Sequence, residues 1–146
     1  MPEDARTPLP GGGRANARFR AVMIAMVPEA AALDTAAWIQ AEAIIARALA
    51  SRPAGVRRQL GVFLLLLDVM AVVRHRRGLI SLNPFDRVRL LESLSKSRLV
   101  LLRRGMWGIR TLAFMGYYAR PGAAGAIGYR ASAGGWAARR EVTEQA

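Results

Sequence analysis

Residues 61–73 read GVFLLLLDVMAVV, thirteen positions interrupted by a single charge at Asp68. A run of that length exceeds an ordinary β-strand of ~5–6 residues. It also falls short of the ~20 apolar residues that a membrane-crossing helix requires. It therefore predicts a soluble-type helix extending over about 54–77, roughly 36 Å by the α-helical rise. Because this helix is apolar all round, the pattern predicts a central position, buried on nearly every side. A carboxylate in such surroundings costs several kcal/mol without a partner. Asp68 is thus expected to pair with one of the many Arg side chains, with helix five as the first candidate source.

The remaining periodicities are helical too. Phe19, Val22, Met23 and Met26 recur at intervals of three and four and predict a first helix over 16–27, ended by Pro28. Asp34 or Thr35 can cap a second helix with Trp38, Ala41, Ile45 and Leu49 on its inner stripe, ending at Ser51, Arg52 and Pro53. After helix three, Arg74, Arg76 and Arg77 suit the negative end of the helix dipole, and Gly78 offers a left-handed stop. Asn83, Pro84 and Asp86 form a helix-start signature, with Phe85, Val88, Leu91 and Leu94 as the predicted buried edge of helix four. Leu99, Leu102, Met106, Ile109 and Ala113 give helix five the clearest stripe of all, while Arg103, Arg104 and Arg110 project elsewhere. No strand-like alternation bounded by hairpin turns occurs. The expected fold is all-α, an irregular bundle of about five helices over 16–119. It is expected to lie between a Pro- and Gly-rich disordered tail at 1–15 and a Gly-rich, extended, aromatic-bearing tail at 120–146.

Charge and residue chemistry narrow the functions. The 146 residues hold 22 Lys plus Arg against 10 Asp plus Glu, a net +12, with no Cys and one His. Cysteine-based zinc sites, iron–sulfur clusters and thiol nucleophiles all lack ligands. Gly11, Gly12 and Gly13 precede no Lys-Ser or Lys-Thr pair, so they form no phosphate loop. Ser81, Ser93, Ser95 and Ser97 sit in no nucleophile elbow and share His75 as their one possible base. His75 itself stands among three Arg residues and reads as a solvated helix end. The basic residues are spread in small groups, which argues against a nucleic-acid recognition helix. Residues 21–27 are too short an apolar run for an export signal, so a cytoplasmic protein without its own catalysis is expected.

Three pieces then carry a resemblance: FLLLLD at 63–68, LNPFDRVRLLESLSKSRLVLLRRGMWGIRTLAFMGYY at 82–118, and AIGY at 126–129. In this order they resemble the helical small subunit of FAD-dependent glucose-methanol-choline (GMC) dehydrogenases, of the gluconate 2-dehydrogenase subunit 3 type. They are also similar to the helical segment ahead of the flavoprotein in long-chain alcohol oxidases. The resemblance implies an accessory subunit that binds and stabilises a separate FAD-dependent dehydrogenase acting on an alcohol, sugar or sterol CH–OH group. The FAD would belong to the partner and this chain would hold no cofactor or metal. The partner-binding residues would be Arg103, Arg104, Trp107, Arg110, Tyr117, Tyr118, Ile127, Tyr129 and Trp136. The alternative reading is a basic helical module that binds nucleic acid or an anionic membrane surface.

Overall fold

The structure is a computed structural model that describes residues 12–126 and 128. Six helices follow one another: α1 Gly12–Met26, α2 Thr35–Ala50, α3 Ala54–His75, α4 Pro84–Ser95, α5 Val100–Tyr118 and α6 Pro121–Ala126. Short 3-10 turns at Pro28–Ala32 and Leu79–Ser81 link α1 to α2 and α3 to α4. Five helices of two turns or more and no strand among the described residues make the all-α irregular bundle that the periodicities predict.

Two helix-start signals act as read. The Asp34 carboxylate accepts the Ala37 N–H at 2.7 Å and starts α2, whose buried stripe is Trp38, Ala41, Ile45 and Leu49. The Asn83 side-chain oxygen accepts the Asp86 N–H at 2.8 Å, with Pro84 at the first helical position of α4. Both satisfy donors that a helix start leaves unpaired.

The helix at the centre is α1. It packs on α3, α4, α5 and both 3-10 turns through Ala15, Phe19, Val22 and Met23, all buried. It begins at Gly12, earlier than the expected position 16, so the last four residues assigned to the N-terminal tail are helical and Ala15 belongs to the core. Residues 1–11 lie outside the described part. At the other end, Pro121–Ala126 is a short helix against α5, with Ala123 buried. The first part of the tail expected to be extended is therefore folded, and its remainder, 129–146, is not described.

Four other expectations are corrected. The first concerns α3, which is not buried on nearly every side. It buries only Leu60, Leu64, Leu67 and Ala71 and leaves its opposite side to solvent, because α1 occupies the centre. The second is its stop, where Arg76, not Gly78, takes the left-handed conformation with φ 56°. Gly78 has a different reason to lack a side chain: a Cβ there would lie 3.0 Å from Asp68 Oδ1. In α4, Phe85 is 68% exposed and Val88 half-buried, while Arg87 and Leu90 join Leu91 and Leu94 on the inner side. Finally, Leu99 is exposed at the entrance to α5, which buries Leu102, Met106, Ile109, Ala113 and Gly116.

Two glycines let α5 approach its neighbours. A Cβ on Gly105 would lie 2.4 Å from the Phe63 ring of α3, and one on Gly116 would lie 2.7 Å from Ile45 of α2. Gly108 faces nothing within 4 Å. Gly105→Ala should therefore destabilise the fold by about 1–3 kcal/mol, the usual cost of overpacking. Gly108→Ala should stabilise it by about 0.5–1 kcal/mol through helix propensity. Urea unfolding of the two variants beside the parent checks the opposite signs.

Candidate functional site

Asp68 is a partly buried polar anchor of the bundle. Its Oδ2 accepts a hydrogen bond from Arg18 Nη2 of α1 at 3.0 Å, and its Oδ1 accepts the Leu79 backbone N–H at 2.8 Å. The partner thus comes from α1 and not from helix five. One carboxylate ties α3 to the central helix and to the turn that follows it. A second anchor was not legible in the sequence. Arg87 is buried and donates from Nε to Leu79 O at 3.0 Å and from Nη2 to Ile80 O and Leu82 O at 2.9 and 2.8 Å. Burial pulls its guanidinium below the usual arginine value, and three carbonyl acceptors hold it there. Both residues build the fold: Asp68 joins α3 to α1 and the following turn, and Arg87 gathers the carbonyls of that turn.

A cleft among the described residues lies between the end of α3 and α4. It has a volume of about 320 Å³ and is lined by Arg74, His75, Asp86, Arg89, Leu90 and Ser93. Its groups are largely engaged by one another. Arg74 Nη1 donates to Ser93 Oγ at 2.7 Å, and Ser93 in turn donates to Leu90 O at 2.7 Å. Asp86 accepts from Asn83 Nδ2 at 2.7 Å, and Arg89 stacks over the Phe85 ring. The serine proton is therefore held by a backbone carbonyl and not by His75, an arrangement that does not activate a nucleophile. Among the described residues no group of three or more His, Cys, Asp or Glu side chains could hold a metal ion.

Two exposed helix faces remain. On α5, Arg103, Arg104, Trp107 and Arg110 are spaced by three and four, which places them on one side of the helix. All four are exposed, Trp107 at 72%. Arg103 reaches back to the Ser97 carbonyl at 2.9 Å, and Arg110 lies over the Phe114 ring at 5.1 Å. Tyr117 and Tyr118 sit at the end of the same helix, edge to face at 5.0 Å, with Arg120 over Tyr117 at 4.6 Å. The structure thus groups four of the expected partner-binding residues, keeps the two tyrosines nearby, and leaves Ile127, Tyr129 and Trp136 outside the described residues.

The second face is on α3 and was not expected. Val62, Leu65, Leu66, Val69, Val72 and Val73 are all exposed, Val62 at 61% and Val73 at 76%. The signal available was Asp68: with the carboxylate turned to the core, Val62, Leu66, Val69 and Val73 fall on the side away from it, while Leu65 and Val72, three before and four after it, border it at the margin.

No family model matches the chain, and comparison with curated proteins and with solved structures gives no match either. No helix among the described residues is long and apolar enough to cross a membrane.

Asp68→Leu should cost about 2–4 kcal/mol of stability, because it strands Arg18 and the Leu79 N–H. Asp68→Asn keeps an acceptor for that N–H and should cost about half as much. The ordering is read from urea unfolding monitored by circular dichroism.

Proposed function

We propose that this chain is a non-catalytic accessory subunit that docks on a larger protein through the outward side of α5. The observation that carries this reading is the solvent-exposed Trp107 flanked by Arg103, Arg104 and Arg110. Trp and Arg are the residue types that most often dominate protein–protein binding energy. The helix carries no acidic residue, so the face presents one sign of charge and suits an acidic partner surface around an apolar pocket for the indole. Residue chemistry supports the same reading, since the whole chain has no thiol and a single imidazole. Asp68 and Arg87, the groups with the most unusual surroundings, are consumed by structural contacts.

The partner is assigned by the resemblance of residues 63–68, 82–118 and 126–129: an FAD-dependent dehydrogenase of the GMC type, with the FAD bound by the partner. In this arrangement the small subunit stabilises the flavoprotein, and the partner's site oxidises the CH–OH substrate.

The experiment is purification of the tagged full-length chain from its native host, with the flavin content of the copurifying protein measured after denaturation. A flavin-bearing partner is expected. Trp107→Ala, a surface change that leaves the fold intact, should weaken the isolated complex about 30-fold or more. A partner without flavin overturns the dehydrogenase assignment, and unchanged affinity of Trp107→Ala overturns the α5 contact.

A further inference from the structure

We infer that the outward face of α3 docks the protein on an anionic lipid bilayer surface, an interaction separate from the α5 contact proposed above. The starting observation is a helix of 22 residues, about 33 Å long, whose outer side is an uninterrupted aliphatic strip. Val62, Leu66, Val69 and Val73 follow one another at four, three and four, with Leu65 and Val72 beside them, all exposed. Monomeric soluble proteins seldom leave so continuous an apolar strip to water. One apolar side running along a helix suits a placement in the plane of a bilayer interface.

Charge selects the occupant. Arg57 and Arg58 are exposed in the first turns of α3, and Arg76 and Arg77 are exposed just past its end, while Arg74 is turned to Ser93 of α4. The only acid on the helix, Asp68, lies at the margin of the strip next to Leu65 and Val72, with both carboxylate oxygens engaged by Arg18 and the Leu79 N–H. The strip therefore has cationic ends and no negative group on its outer side. A second copy of the chain fits poorly, because pairing α3 with α3 in either direction sets guanidinium groups against guanidinium groups. A specific acidic protein fits less well than on α5, since the strip holds only Val and Leu, with no aromatic anchor and no hydrogen-bonding group to fix an orientation. A fluid hydrocarbon layer bounded by phosphate groups needs neither. It accepts the aliphatic side chains at the acyl boundary while the Arg side chains extend to the headgroups.

The test is flotation of the purified full-length chain with vesicles. One set is phosphatidylcholine alone, and the other contains phosphatidylcholine and phosphatidylglycerol in equal parts. Binding to the anionic vesicles is expected, at least about tenfold weaker to the neutral ones. Inorganic phosphate, matched in ionic strength by sodium chloride, should not compete beyond the salt control. Val69→Asp should weaken binding about tenfold or more. Ile39→Asp makes the same change in charge at an exposed apolar residue of α2, and it should alter binding less than about twofold. Circular dichroism confirms that both variants fold. Failure to bind anionic vesicles overturns the proposal, as does equal binding by Val69→Asp. A dimer that Val69→Asp dissociates, with no vesicle binding, overturns it in favour of self-association.

Discussion

The carboxylate of Asp68 sets the rotation of the longest helix. Residues 61–73 are apolar on every side, so hydrophobic burial alone gives α3 little reason to turn one side inward. A single charged group breaks that degeneracy. With Arg18 Nη2 on one oxygen and the Leu79 N–H on the other, the carboxylate is satisfied only when it faces α1 and the following turn. Leu60, Leu64, Leu67 and Ala71 are then carried into the core. The same rotation turns Val62, Leu66, Val69 and Val73 outward, because successive residues of a helix cannot all share one face, and leaves Leu65 and Val72 exposed at the margin beside Asp68. The outward side of α3 is thus a consequence of a partly buried ion pair.

The rest of the bundle is arranged so that α3 can stay peripheral. The centre belongs to α1, whose Ala15, Val22 and Met23 are compact or adaptable enough to meet several neighbours at once. Close approach of α5 depends on Gly105 beneath Phe63 and Gly116 beneath Ile45. Arg87 then closes the link between α3 and α4 by gathering the carbonyls of Leu79, Ile80 and Leu82. The backbone groups of that turn find an internal partner, as buried polar groups require.

Features that depend on neighbours in sequence were legible, and features that depend on neighbours in space were not. Asp34 and Asn83 read as caps because a cap acts three residues away, and the stripes of α2 and, from Leu102 onward, α5 read correctly because polar residues mark their outer sides. The α3 run carries no such marks beyond Asp68, so its central placement was the natural and mistaken inference. Arg87 was missed because an arginine in an amphipathic helix ordinarily points to water, and only the folded turn supplies its three carbonyls. Phe85 was placed inside on hydrophobicity alone, although the first turn of α4 leaves it exposed. Of the functional surfaces, the Arg and Trp grouping on α5 follows from spacing by three and four. The strip on α3 needed the position of Arg18, fifty residues away in sequence.

The two proposed contacts differ in chemistry: indole and guanidinium on α5 for a structured partner, aliphatic groups with cationic ends on α3 for a lipid surface. A chain without cysteine allows a single nitroxide to be placed by Val69→Cys and its depth in anionic vesicles to be read by paramagnetic relaxation. A label at 69 that gains oxygen accessibility and loses contact with a water-soluble nickel relaxer on vesicle addition, while one at Thr111 on α5 stays aqueous, is the predicted result. A label at 69 that remains in water on vesicle addition, or that is buried in the protein before any lipid is added, contradicts it.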